Sequence, residues 1–117
     1  MVIEYSNKKV RELCTDHGYA RRKLGAEDAE SIWSILKFLE SAESLKDLSI
    51  FKKNNLHKLT GDRKGQFALN LRKKSGRRLI FVPFPPLNTE EEKLDIQSQY
   101  KIIEGIRVLE VSNHYEQ

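Results

Sequence analysis

After a short β-rich opening, Val2-Ile3-Glu4-Tyr5, apolar residues recur every three or four positions as far as Leu39, and from Leu56 onward they recur every second position. The order strand, helix, helix, then successive strands is that of an α+β domain, with the helices packed on one face of a mainly antiparallel sheet. The opposite face of such a sheet has to be polar or occupied.

The helical half divides at its punctuation. Ser6-Asn7 offers caps for a first helix in which Val10, Leu13, Cys14 and His17 form one stripe, and Gly18 is expected to end it. Gly25 precedes a second helix carrying Ala29, Ile32, Trp33, Leu36 and Leu39, with Glu27, Asp28 and Glu30 in its first turn. Trp33 and Phe38 share the helical spacing of the aliphatic residues and are assigned to the core. Ser41 to Asn55 reads as a polar connection with a short turn of helix at Leu45 to Leu48.

The β half begins with a hairpin. Leu56 to Thr60, a turn at Gly61 to Gly65, and Gln66 to Arg72 with Phe67, Leu69 and Leu71 on one face lead through Lys73-Lys74-Ser75-Gly76 into a strand from Arg77 to Phe84. Pro83, Pro85 and Pro86 end that strand, because proline cannot donate to a ladder. Residues 88–105 form either an excursion or a short helix over the sheet, and their acids Glu90, Glu91, Glu92 and Asp95 are candidates to fold over basic surface. Ile106 to Ser112 is apolar at both parities, as in a strand inside a sheet.

The 117 residues amount to one domain spanning 1–117, with 38% apolar and 32% charged residues, which is enough to bury a single core. The apolar runs are far shorter than the ~18 residues of a membrane span, and no basic-then-apolar leader is visible, so a cytoplasmic protein without membrane contact is expected. The lone Cys14 forms no internal disulfide and anchors no zinc, and its place in a helical stripe marks it as core. No cofactor or metal is expected: there is no Gly-rich nucleotide loop and no paired His or Cys at metal-ligand spacing.

The net charge of +4 is unevenly distributed. Residues 1–50 carry eight Lys and Arg against nine acids, and residues 81–117 carry three against seven. Residues 51–80 carry ten against Asp62 alone, a local excess of +9. Such a field suits phosphate oxygens and is the usual footprint of nucleic-acid binding, the plainer alternative being solvated strand edges and turns.

The stretch from Leu56 to Leu71, LHKLTGDRKGQFALNL, followed by Arg78-Leu79-Ile80-Phe81 and by Val111-Ser112-Asn113-His114-Tyr115-Glu116, resembles the HigB branch of the RelE/ParE toxins over nearly the whole chain. These are the toxin halves of bacterial toxin-antitoxin pairs, also described as plasmid-maintenance killer proteins. The resemblance implies a RelE-like fold and a ribosome-dependent, metal-free endoribonuclease that cuts mRNA and inhibits translation. It also implies a cognate helix-turn-helix antitoxin of the HigA type, and contact with DNA only through that antitoxin. A ParE-like protein that obstructs DNA gyrase, or a degenerate member that only binds RNA or antitoxin, shares the same scaffold.

Carried over position by position, His57 stands at the family's histidine and Arg78 at the arginine that opens the strand after the hairpin. Thr60 replaces an expected lysine, and the usual closing Asp-Tyr-His is here Asn113-His114-Tyr115. Metal-free cleavage needs a base for the 2′-OH, cations for the developing charge and an acid for the leaving 5′-oxygen. The implied catalytic set is therefore His57 and Arg78 with His114 or Tyr115. Lys58, Arg63, Lys64, Lys73 and Asn113 are the candidates for holding RNA, and His17 belongs to a helix stripe.

Overall fold

Residues 1–113 are described in the computed structural model of the protein, so His114 and Tyr115 lie outside the described residues. The chain forms β1 (Val2–Tyr5), α1 (Lys8–Thr15), α2 (His17–Leu24), α3 (Ala26–Ser41), α4 (Lys46–Ser49), β2 (His57–Lys58), β3 (Phe67–Asn70), β4 (Arg77–Pro83), α5 (Thr89–Glu92), α6 (Ile96–Ile102) and β5 (Gly105–Asn113). Short 3₁₀ turns at Lys52–Asn54 and Gly61–Arg63 flank β2.

The class is α+β, but the helical half holds one more helix than its periodicity suggests. The first helix stops at Asp16 and not at Gly18, which lies inside α2. Asp16 accounts for the break, because it leaves the helical region and its carboxylate accepts the N–H of Tyr19 at 3.0 Å, restarting the chain as a capped second helix. Asn7 does the same for α1 through the N–H of Val10. Gly25, at φ +91, then turns α2 into α3. Helix α3 buries Ile32, Ile35, Leu36 and Leu39, whereas Trp33, on the flank of that stripe, is 48% exposed and is not a core residue. Phe38 is partly buried against the core.

The five strands run in the order β1-β5-β4-β3-β2. β1 is parallel to β5 and the other neighbours are antiparallel, so the sheet is mixed where a mainly antiparallel one was expected. A parallel pair needs a long crossover, and here everything between the first and last strands supplies it. β5 lies between β1 and β4, as its two apolar parities require. A bulge at Leu109 resets the register, because Ile80 faces Glu110 while Phe81 faces Val108.

One sheet face carries the core. Phe67, Leu69, Leu79, Phe81, Ile106 and Val108 are fully buried there against side chains from α1, α3, α4 and α6. Phe67 stacks on Phe81 with ring centroids 5.8 Å apart and meets Tyr100 of α6 at 6.1 Å. The segment 88–105 is thus helical over the sheet. Its acids are engaged locally: Glu91 completes a capping box with Asn88, Asp95 caps α6, and Glu90 pairs with Lys93. Among the described residues no helix is long and apolar enough to cross a membrane.

Candidate nucleic-acid interface

Strand register divides the cations between two surfaces. His57 faces Ala68, Ala68 faces Ile80 and Ile80 faces Glu110, while Asn70 faces Arg78 and Arg78 faces Ser112. Cross-strand partners share a face, so these residues lie together on the side away from the aromatic core. Lys58, one residue on, faces Phe67 and belongs to the other side.

Arg78 is the most unusual group of that polar face. It is only 4% exposed, and its Nε and Nη2 are buried with no acceptor among the described residues. The hydroxyl of Ser112, its neighbour across β5, is in the same condition. Burial pulls the Arg78 pKa down, the charge of Arg63 adds to the effect, and Glu110 opposes it. An arginine remains a cation despite such a shift. A buried donor left without an acceptor costs about 1–3 kcal/mol, so the cluster, as the described residues build it, is suited to an anionic oxygen.

Arg63 reaches the same neighbourhood from the turn after β2. Its Nη2 lies 3.2 Å from the Glu110 carboxylate and its Nη1 donates to Gln66 at 3.0 Å. Both partners of the ion pair are more than a third exposed, so solvent screens it and a phosphate can compete for the guanidinium. His57 sits with Nδ1 2.7 Å from the carbonyl oxygen of Asn55. Since a carbonyl only accepts, Nδ1 carries the proton in the neutral ring and Nε2 keeps a lone pair, the form a general base needs.

The remaining candidates are dispersed. Lys58 donates from Nζ to Gln99 at 2.9 Å and lies over the Phe67 ring at 5.5 Å, on the helix-covered face. Gln99 is held in turn by the carbonyls of Glu92 and Leu94, so the acidic segment meets this lysine through an amide rather than a carboxylate. Lys64 is exposed in the turn before β3, and Lys73 is exposed in the turn between β3 and β4. Asn113 faces Arg77 at the end of β5, on the side opposite Arg78. Cys14 is buried, and burial pushes its thiol up to about 12, which leaves it no nucleophilic character at neutral pH.

Two members of the basic segment are structural. Arg72 donates from Nε and Arg77 from Nη1 to the two oxygens of Asp28, each at 2.8 Å, and Arg72 also pairs with Glu27 while Arg77 also donates to the Leu24 carbonyl. Asp28 is 2% exposed. Burial alone would raise its pKa, but the hydrogen bonds from Arg72 and Arg77 outweigh it and hold the carboxyl below its ordinary value.

Ser112, Glu110 and Gln66 are not among the site residues to which the sequence points. Their signal is faint: Glu110 and Ser112 are polar positions two apart in β5, and the register places both on the face of Arg78. Among the described residues no group of three His, Cys, Asp or Glu side chains is placed to hold a metal ion. No protein-family model matches the chain, and no curated protein matches it significantly.

Proposed function

We propose that the protein is a RelE-like toxin of the HigB branch, a ribosome-dependent endoribonuclease that cuts mRNA and is neutralised by a helix-turn-helix antitoxin. The observation that carries this reading is the buried Arg78 guanidinium with two donors lacking an acceptor among the described residues, set beside Ser112 on the sheet face that also takes Arg63 and His57. The long LHKLTGDRKGQFALNL stretch and the +9 excess between residues 51 and 80 support it independently.

In the proposed reaction Nε2 of His57 accepts the proton of a ribose 2′-OH, whose oxygen attacks the adjacent phosphorus. Arg78 takes the charge that develops on the non-bridging oxygens, and Arg63 joins it by exchanging Glu110 for phosphate. The bond to the 5′-oxygen breaks, and His114 or Tyr115 donates the proton that the leaving oxygen needs. The products are a 2′,3′-cyclic phosphate and a free 5′-hydroxyl.

The test is expression without an antitoxin, followed by mapping of RNA ends. Growth arrest with new 5′ ends inside translated messages is expected, as is cleavage by the purified protein on programmed ribosomes with free RNA left largely uncut. Arrest with every message intact, together with inhibited gyrase supercoiling, would replace this reading by the gyrase-directed one.

A further inference from the structure

The Asp28 knot joins two basic segments that the sequence keeps about fifty residues apart. Leu24, whose carbonyl Arg77 binds, is the last residue of α2, directly after Arg21, Arg22 and Lys23. Arg72 and Arg77, both held by Asp28, are the two ends of the turn that carries Lys73 and Lys74. The knot therefore brings five exposed cations to one end of the molecule. Of the acids there, Glu27 is engaged by Arg72 and Asp28 by both Arg72 and Arg77, while the Asp16 carboxylate, which caps α2, lies beside Gly18 as does the Arg22 guanidinium.

Basic residues in a last helical turn commonly serve the helix dipole. That role does not account for the turn lysines, and the α2 carbonyl of Leu24 already has its cation in Arg77. Arg22 and Lys23 instead lie over the Tyr19 ring, at 5.8 and 5.7 Å from its centroid, which gives the surface an aromatic member. Like charges gathered on one surface repel, and the repulsion is relieved by a polyanion.

We propose that the last turn of α2 and the β3–β4 turn form one surface that binds the phosphate backbone of structured RNA. The proposal rests on reading the protein as RNA-directed, and adds a contact away from the scissile site. Arg78 follows Arg77 in β4 and points to the other face, so an RNA passing over this end of the sheet meets Arg78 on one side and the five cations on the other. RNA is favoured over a lipid surface because the large exposed apolar residues, such as Trp33, Ile50, Phe51 and Ile96, all lie on other elements, whereas membrane-surface helices set apolar side chains beside their cations.

The experiment is fluorescence polarisation of a fluorescein-labelled RNA hairpin with the full chain across a KCl series. Arg21→Gln/Arg22→Gln/Lys23→Gln is expected to weaken binding by about 10-fold or more and to flatten the slope of log K against log salt by about 2–3, since each of the three lost phosphate contacts removes just under one. Lys73→Gln/Lys74→Gln, which alters only an exposed turn, should move both quantities in the same direction. The charge-keeping Arg21→Lys/Arg22→Lys/Lys23→Arg should restore the slope, and unchanged thermal melts establish that the variants fold. Wild-type binding with an unaltered slope in both Gln variants overturns the surface and leaves the proposed function standing. A wild-type chain that binds neither the hairpin nor ribosomes overturns both, and binding to vesicles containing phosphatidylglycerol in place of RNA overturns the assignment of the cations to nucleic acid.

Discussion

Arg78 sets stability against function at a single position. Its buried donors, unpaired among the described residues, burden the folded state, whereas an apolar side chain of similar length would not. Arg78→Met is therefore expected to stabilise the protein by about 1–3 kcal/mol while lowering single-turnover cleavage by about 10²–10³. Chemical denaturation and cleavage on programmed ribosomes measure the two effects, and a variant that is less stable yet fully active would remove Arg78 from the site. His57→Ala should lower the same rate by about 10²–10⁴ through loss of the base. Asp28 behaves in the opposite sense. Because its folded pKa is depressed, it contributes stability that is fully present above the unfolded carboxylate value, near ~3.9, and is lost as pH falls through the lower folded value. Asp28→Asn should cost about 2–4 kcal/mol at neutral pH, somewhat less than a fully buried pair because both arginines are about a third exposed, and should flatten the acid limb of the stability curve. Denaturant melts from neutral pH downward decide it.

At the scale of elements, caps and register matter more than periodicity. Apolar spacing located α3 and the strand after the Lys73–Gly76 turn, because each buries a continuous stripe or face. It ran the first helix past its true end, since His17 keeps the stripe's spacing while Asp16 breaks the backbone. Asp16→Ala removes the carboxylate that holds the N–H of Tyr19 and should cost about 1 kcal/mol, with faster amide exchange at the start of α2. Exchange rates equal to wild type along α2 would show that packing alone fixes the break. Register likewise assigns neighbouring cations to different surfaces: His57 and Lys58 are adjacent in sequence, yet one faces Ala68 and the other Phe67.

Across the whole molecule the aromatic core ties the sheet to α6. Phe67 is fully buried, stacks on Phe81 and touches Tyr100, so Phe67→Ala should cost about 3–5 kcal/mol and lower the unfolding midpoint of the entire domain in one transition. Two separated transitions by circular dichroism would mean that α6 unfolds on its own. The sequence by itself determined the α+β class, the long helix, the interior place of the last strand and the concentration of cations between residues 51 and 80, because hydrophobic period and charge are local properties that burial and solvation act on directly. Only the tertiary structure decided which cations face which surface, that β1 lies parallel to β5, that Arg72 and Arg77 neutralise Asp28, and that Arg78 stands buried beside Ser112 without an acceptor among the described residues. Those outcomes depend on pairings between residues far apart in the chain, and strand register, a bulge and one buried carboxylate set them.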